Sequence, residues 1–214
     1  MTTRVLKVKG LKFDGIDDYV NCGNSSSLDL TTVTIAFWMR KLIYVIPTWN
    51  NVIGKASSPF ANWDNGSYVI RLLNYDITSG MWCEDGTQSY LRYPLTWDAT
   101  WTHIAVVFAS NSHHSLYVNG VRVAHNIVNK IMRRNNYCLW IGGYRFCNII
   151  DEVMVFNRAL SSAEIMDLYN GKIIKDGLVL YYDFSEGGGN ILYDKSGYGN
   201  HGTIYGARWL VKKV

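Results

Sequence analysis

Short segments rich in β-branched and aromatic residues recur along most of the chain, and this repetition constrains the fold more than any other feature. Each segment has the length of a strand, and residues such as Asn, Gly, Asp and Ser separate them. Many short strands at close intervals predict an all-β fold, a two-sheet antiparallel β-sandwich. A chain of 214 residues, of which 48% are hydrophobic, is large enough to bury one such core. The predicted strand segments are Val33–Met39, Tyr68–Leu73, Trp101–Ala109, Ser115–His125, Tyr137–Gly143, Ile149–Phe156 and Leu178–Phe184.

Two local signals predict a turn and a helix. Asn119 and Gly120 lie between alternating apolar residues, a pattern typical of a two-residue type I′ hairpin turn. Ser161 followed by Glu164 forms the sequence signature of a helical capping box, and Gly171 marks the end of the same short helix. The apolar stripe of this helix is predicted to cover one end of the sandwich.

Charge and composition argue against several classes of protein. The net charge of +4 is spread along the chain without a basic helix, which argues against a nucleic-acid partner. The apolar runs are shorter than the roughly twenty residues of a membrane helix, so no membrane insertion is predicted. The N-terminal residues lack the apolar core of a secretory signal. The four cysteines, which lack zinc-site spacing, are either buried thiols or form up to two disulfides: Cys22, Cys83, Cys138 and Cys147.

Three stretches together resemble the laminin-G-like jelly-roll family of the concanavalin A-like lectin and glucanase superfamily. They are LKFDGIDDYVNCG at residues 11–23, the hairpin LYVNGVRV at residues 116–123, and DEVMVFNRALSSAEIMDLYNG at residues 151–171. The resemblance implies a concanavalin A-like jelly roll that one short helix accompanies.

A fourth stretch resembles the opening strands of such a domain but stands at the C-terminus, at residues 178–209. We therefore divide the chain into a sandwich body, residues 1–175, and C-terminal strands, residues 176–214. The body lacks an apolar strand without this tail, and the tail is too short to bury a core alone. Two arrangements remain open: the tail completes its own sandwich in cis, or it is donated to a neighbouring subunit.

Catalysis by the mechanism of the related glucanases requires paired carboxylates on one face of a strand. No acidic residue stands two positions after Glu84, Glu152, Glu164 or Glu186, and the adjacent Asp151 and Glu152 point to opposite faces of a strand. Sequence signatures of a catalytic triad or a phosphate-binding loop are also lacking. The chain is therefore predicted to be no enzyme, with a glucanase-like activity as the least favoured alternative.

Ligand binding is predicted to depend on aromatic and polar side chains in loops. Sugar faces stack on aromatic rings, and sugar hydroxyls pair with Asn, Asp and Arg. A role in the core is the alternative for each aromatic residue. The predicted ligand-binding residues are Trp63, Asp64, Asn65, Tyr68, Trp82, Tyr144 and Arg145.

The resemblance also implies a calcium site, because four residues occupy motifs similar to those near calcium in the family. Calcium prefers carboxylate and carbonyl oxygens gathered on loops. Asp194 and Asn200 have a second interpretation, in which their side chains cap turns. The adjacent His113 and His114 either bind a transition metal or form a solvated loop tip. The predicted calcium ligands are Asp14, Asp151, Asp194 and Asn200.

The favoured function is a recognition or adhesion domain that binds a glycan or a surface protein. We expect it outside the cell, on a cell surface or on a virus particle. The alternative is a structural subunit of a filament or virion appendage, which assembles head to tail by exchange of residues 176–214.

Overall fold

The structure, a computed structural model, describes residues 9–42, 49–60, 66–96 and 99–210. These residues form two antiparallel sheets of 8 strands each, packed face to face around a shared apolar core, with one α-helix. The arrangement confirms the predicted β-sandwich. Within the described ranges, no helix has the length and apolar character that a membrane crossing requires.

The first sheet places strands from the middle of the chain beside strands from both ends. Asn148–Phe156 (β12) lies at its centre, with Thr32–Lys41 (β3) on one side and both Leu11–Lys12 (β1) and Leu178–Tyr182 (β13) on the other. In order from one edge to the other, its strands are β10 (Val121–Val128), β9 (Ser112–Val118), β8 (Trp101–Ala109), β3 (Thr32–Lys41), β12 (Asn148–Phe156), β1 (Leu11–Lys12) and β16 (Arg208–Trp209), and β13 (Leu178–Tyr182) also pairs with β12.

The second sheet ends in β7 (Gln88–Pro94), which lies beside β10 of the first sheet on the same flank of the sandwich. This juxtaposition of two edge strands forms the groove described below. In order, the strands of the second sheet are β14 (Ile191–Leu192), β15 (Gly202–Tyr205), β2 (Tyr19–Asn21), β11 (Leu139–Gly142), β4 (Trp49–Lys55), β5 (Tyr68–Leu73), β6 (Asp76–Trp82) and β7 (Gln88–Pro94).

The local predictions for the hairpin and the helix are confirmed. Asn119 and Gly120 have φ angles of 50° and 79°, and two positive φ angles are what a type I′ turn requires. Helix α1 spans Ser162–Tyr169, and Ser161 is its N-cap within a complete capping box. Gly171 follows the helix with a φ angle of 86°, a left-handed conformation that favours glycine.

Helix α1 covers the outer face of the first sheet rather than one end of the sandwich. Ile165 and Leu168 are buried in a second apolar cluster that contains Ala36, Ala105 and Phe156 from three neighbouring strands. Small residues at the sheet surface allow the helix to approach closely. The apolar stripe was therefore predicted correctly, but its location was not.

The C-terminal strands pair with strands of their own chain in this structure. β13 pairs with β12, β15 pairs with β2, and β16 pairs with β1, which brings Trp209 opposite Leu11. The tail thus contributes to both sheets. Exchange of these strands between copies concerns more than one chain and stays a prediction.

All four cysteines are free thiols. Cys22 and Cys83 are buried, whereas Cys138 and Cys147 are half-buried. Burial raises the pKa of the Cys22 thiol to about 12, so this side chain is protonated and unreactive at neutral pH. The structure therefore favours the buried-thiol interpretation over disulfides.

Candidate functional site

A groove of about 430 Å³ separates the edge strands β7 and β10. Its volume lies within the range of sites for small ligands. Amide and hydroxyl side chains form much of its wall, together with one aromatic ring and one lysine. The groove is lined by Cys83, Thr87, Gln88, Ser89, Tyr90, Asn126, Ile127, Val128, Asn129 and Lys130.

Asn126 bridges the two walls of the groove. Its Nδ2 donates hydrogen bonds to the Ser89 Oγ at 3.2 Å and to the Tyr90 carbonyl oxygen at 3.1 Å. A carbonyl oxygen can only accept, so this contact fixes which end of the Asn126 side chain is the nitrogen. Both amide hydrogens are then used within the protein, and the Oδ1 atom is the Asn126 group that remains to accept a hydrogen bond from a ligand.

A buried histidine supports this wall from beneath. The Nδ1 atom of His114 lies 3.0 Å from the Ser89 Oγ, and its Nε2 atom lies 2.8 Å from the Ser79 Oγ. The ring also stacks on Phe108 with centroids 4.7 Å apart. Burial lowers the pKa of His114 to about 3, because a charged imidazole is poorly solvated there. The neutral ring therefore holds Ser89 in place, and Ser89 in turn accepts the bond from Asn126.

The one charged side chain in the groove wall is neutralised by a neighbour. Lys130 Nζ lies 2.5 Å from Asp85 Oδ2, and the other carboxylate oxygen of Asp85 accepts hydrogen bonds from the Thr87 backbone and hydroxyl. The hydrogen bond from Lys130 is the main cause that lowers the pKa of Asp85, so the pair is ionised at neutral pH. The Lys130–Asp85 pair consequently has no net charge.

Apolar surface is also present in the groove. Tyr90 is 40% exposed and Ile127 is 77% exposed. An exposed ring offers the flat apolar face on which the C–H face of a pyranose stacks, and the neighbouring amides offer donors and acceptors for its hydroxyls. The groove therefore has the chemical groups that carbohydrate binding requires.

The sequence prediction of ligand-binding residues does not hold for two aromatic rings. Tyr68 is fully buried in the core, where it stacks on Phe108, and burial raises the pKa of its hydroxyl. Trp82 is only 5% exposed. Neither ring can present a face to a ligand. Three further predicted residues lie outside the described residues: Trp63, Asp64 and Asn65.

Tyr144 and Arg145 are half-exposed and lie beside a group of aromatic residues on the second sheet, which we call the rim patch: Tyr19, Phe60, Trp140 and Tyr205. Tyr19 stacks on Tyr205 with ring centroids 4.7 Å apart and makes edge contacts with the other two rings. The Tyr144 backbone donates to the carbonyl of Pro59, the residue before Phe60. The rim patch is thus a second, partly exposed aromatic surface.

The predicted calcium ligands do not form one site. Asp194 accepts four hydrogen bonds, from the backbones of Tyr181, Ser196 and Asn200 and from the Ser196 hydroxyl. Four donors occupy the lone pairs of a carboxylate, so Asp194 does not fit a calcium ligand in this arrangement. The side-chain amide of Asn200 donates to the Ser27 hydroxyl and the Val179 carbonyl. The contacts of Asp194 with the Ser196 and Asn200 backbones favour the turn-capping interpretation for that residue, whereas the Asn200 side chain joins segments that are distant in the sequence.

Asp14 lies instead in an acidic loop with Asp17 and Asp18, whose carboxylate oxygens are within 4.8 Å of one another. Asp14 and Asp17 are exposed, whereas Asp18 is buried, and this burial raises the pKa of its carboxyl group. Asp151 is buried on β12, and its Oδ1 accepts a hydrogen bond from the Glu152 backbone. The calcium prediction is thereby limited to the loop of Asp14.

The groove residues were missed because they come from distant parts of the sequence. Residues 83–90 form one wall and residues 126–130 form the other. The alternation of exposed Gln88 and Tyr90 with buried Ser89 and Leu91 was a usable signal for an edge strand with a polar face. Which strand lies across the groove from this edge strand is decided by the tertiary structure.

Comparison with protein families gives one match. The laminin-G-type model described as the "Concanavalin A-like lectin/glucanases superfamily" matches residues 14–166. A search of curated proteins finds no match.

Solved structures with the same fold include several binding proteins. A "putative carbohydrate binding protein" from Bacteroides ovatus ATCC 8483 is 17% identical, with a TM-score of 0.73 over 96% of this chain and 60% of that chain. The binding domain of Paraclostridial Mosquitocidal Protein 1 is 20% identical, with a TM-score of 0.58 over 75% of this chain and 45% of that chain. The binding domain of botulinum neurotoxin DC, in complex with SialylT, is 12% identical, with a TM-score of 0.56 over 66% of this chain and 36% of that chain. At these identities the likeness establishes the fold alone, and this chain matches less than two thirds of the length of each of these proteins.

Proposed function

The chain belongs to the laminin-G-like family of the concanavalin A-like lectin and glucanase superfamily, and we propose that it is a non-catalytic carbohydrate-binding domain whose ligand occupies the groove between β7 and β10. The observation that carries the proposal is the groove itself, in which amides and hydroxyls lie beside an exposed tyrosine ring. Two of the fold neighbours add support, since one is named for carbohydrate binding and another is in complex with SialylT.

The walls of the groove are fixed before any ligand arrives. Asn126 is held by Ser89 and the Tyr90 carbonyl, and Ser89 is held by His114. A ligand that binds such a preorganised wall loses less free energy to the ordering of side chains. This favours recognition of a defined saccharide over unspecific adsorption.

The charge balance of the groove favours a neutral saccharide. Lys130 is paired with Asp85, and an acidic sugar would have to compete with that carboxylate for the ammonium group. A neutral sugar needs only the amides and hydroxyls for its hydrogen bonds. We therefore expect neutral hexose chains to bind in preference to sialylated ones.

The test is a glycan array probed with the full chain, followed by titration calorimetry with the best ligand. Tyr90→Ala and Gln88→Ala should each weaken binding by about tenfold, which corresponds to about 1.4 kcal/mol for a lost stacking or hydrogen-bonding group. Both side chains are exposed, so the fold should be retained. Tyr205→Ala on the rim patch is the matched control, because it removes an equally exposed tyrosine elsewhere.

The outcomes separate the alternatives. No binding to any neutral glycan on the array would remove the proposal. Loss of binding in Tyr205→Ala with full binding in Tyr90→Ala would place the ligand on the rim patch and would refute the groove. A preference for sialylated glycans would refute the argument from charge balance while leaving carbohydrate binding itself intact.

Location on a cell or virus surface, and assembly through residues 176–214, are further proposals. The high effective concentration of a tail that is tethered to its own sandwich favours closure within one chain. Multi-angle light scattering of the full chain distinguishes the two arrangements: a concentration-independent mass of 24.4 kDa argues against the filament, and a mass that grows with concentration supports it. In the second case, deletion of residues 176–214 should abolish the growth.

A further inference from the structure

His113 and His125 lie side by side on the outer face of the first sheet. His113 is on β9 and His125 on β10, and their positions are diagonal in the register, since His125 is opposite Ser115. Their ring centroids are 5.5 Å apart and the ring planes are inclined by 39°. His113 is half-buried and His125 is exposed, so solvent reaches the pair.

The pair of His113 and His125 differs from the pair of adjacent histidines that the sequence suggested. The adjacent His113 and His114 point to opposite faces of β9, because successive side chains alternate along a strand. His114 is fully buried beneath the groove. A metal held by those two residues is therefore excluded by the strand geometry, whereas the cross-strand neighbour of His113 is available.

Each imidazole is anchored through the same ring atom. The Nδ1 atom of His113 lies 2.9 Å from the Ser112 Oγ, and the Nδ1 atom of His125 lies 2.8 Å from the Ser115 Oγ. Metal-binding histidines commonly use one ring nitrogen for such an orienting contact, which fixes the tautomer. In the tautomer in which Nδ1–H donates to the serine oxygen, each ring has its lone pair on Nε2.

The separation of the rings suits a shared ion. With metal–nitrogen bonds of about 2 Å, each ring centroid lies about 3 Å from the metal, so two rings on one ion have centroids no more than about 6 Å apart. The observed 5.5 Å satisfies this limit. We propose that His113 and His125 form a two-imidazole site for a late first-row divalent cation such as Zn²⁺ or Cu²⁺, with water in the remaining positions.

The protonation state supports the site. Burial lowers the pKa of His113, and the nearby His125 and Arg122 lower it further. A lowered pKa keeps the imidazole neutral, and only a neutral imidazole can coordinate a metal. Imidazole nitrogen is a preferred ligand of Zn²⁺ and Cu²⁺, whereas calcium prefers oxygen. The site is thus distinct from the predicted calcium site and does not depend on the proposed carbohydrate function.

The experiment is titration calorimetry of the full chain with zinc chloride after chelator treatment and buffer exchange. We expect one site per chain, with binding weakened at least tenfold in His113→Gln and in His125→Gln, because one imidazole alone loses the advantage of chelation. His201→Gln is the matched control and should bind as the unmodified chain does. Electron paramagnetic resonance with Cu²⁺ provides a second readout, and two coordinated nitrogens should be seen only when both His113 and His125 are present.

Three results would overturn the proposal. They are no heat of binding and no nitrogen coupling in the unmodified chain, unchanged binding in both His113→Gln and His125→Gln, and loss of binding in His201→Gln. Circular dichroism of each variant verifies that a loss of binding does not reflect a loss of fold. Since His125 is exposed on an edge strand, its replacement should leave the sandwich intact.

Discussion

Acid should destabilise this protein through His114, the buried ring beneath the groove. In the unfolded chain this side chain has an ordinary pKa of 6.5, whereas burial lowers the pKa to about 3 in the folded state. Between these two values the unfolded state binds a proton that the folded state excludes, so the free energy of unfolding falls as the pH falls. The stabilising contribution is complete above pH 6.5 and is lost progressively towards pH 3.

The size of the effect at pH 5 follows from the unfolded pKa alone. That pH is about 1.5 units below 6.5, and each unit corresponds to about 1.4 kcal/mol. His114 should therefore lower the free energy of unfolding by about 2 kcal/mol between pH 7 and pH 5. This value holds for any folded pKa well below 5. It is a large fraction of the stability of a typical domain.

The assay is urea unfolding at pH 7 and pH 5 for the unmodified chain and for His114→Gln. Glutamine can still donate and accept a hydrogen bond towards Ser79 and Ser89, but it has no charge to gain. The unmodified chain should lose about 2 kcal/mol more than the variant between the two pH values, and this difference cancels the contribution of other titrating groups. Equal losses in both proteins would refute the reasoning. If His114→Gln does not fold, an NMR titration in which the His114 ring of the unmodified chain protonates near pH 6.5 would refute it equally well.

Three further predictions concern the helix cap, the acidic loop and a buried thiol. Glu164→Ala should lower the free energy of unfolding by about 1 kcal/mol because it removes the capping box together with the ion pair to Arg158. Asp167→Ala removes only an exposed ion pair and should lower it by less than about half as much, and thermal melts of both variants provide the comparison. Calcium should raise the melting temperature relative to chelator if the loop of Asp14 binds it, and Asp14→Asn with Asp17→Asn should remove the shift, whereas no shift in the unmodified chain would end the calcium prediction. Cys22 should react with a thiol reagent only after unfolding, and rapid modification of the native protein, followed by mass spectrometry, would contradict its burial.

Much of the fold could be predicted because its signals are local. β-Branched and aromatic residues marked Trp101–Ala109 as a strand, and two residues that tolerate positive φ marked the hairpin at Asn119. Ser161 with Glu164 marked the start of the helix. Each signal depends on neighbours within a few positions. Tertiary packing therefore did not overrule them.

The candidate site was less predictable because burial is not a local property. Tyr68 begins a strand that the sequence predicted, and Trp82 ends a strand that it did not, yet the packing of the two sheets buries both rings in the interior. The sequence does not show which face of each strand is covered by the opposite sheet. Tyr144 and Arg145 are half-buried in a turn next to glycines, and their predicted role in ligand binding stays a prediction.

The sequence by itself determined that this protein is a β-sandwich with one capped helix, since strand periodicity, turn residues and caps act over short distances along the chain. The tertiary structure alone decided which strands lie side by side. β7 lies beside β10 and forms the groove with it, and β9 pairs with β10, which brings His113 close to His125. The physical reason is that the order of strands in a sheet depends on the packing of the whole core, to which residues far apart in the sequence contribute together.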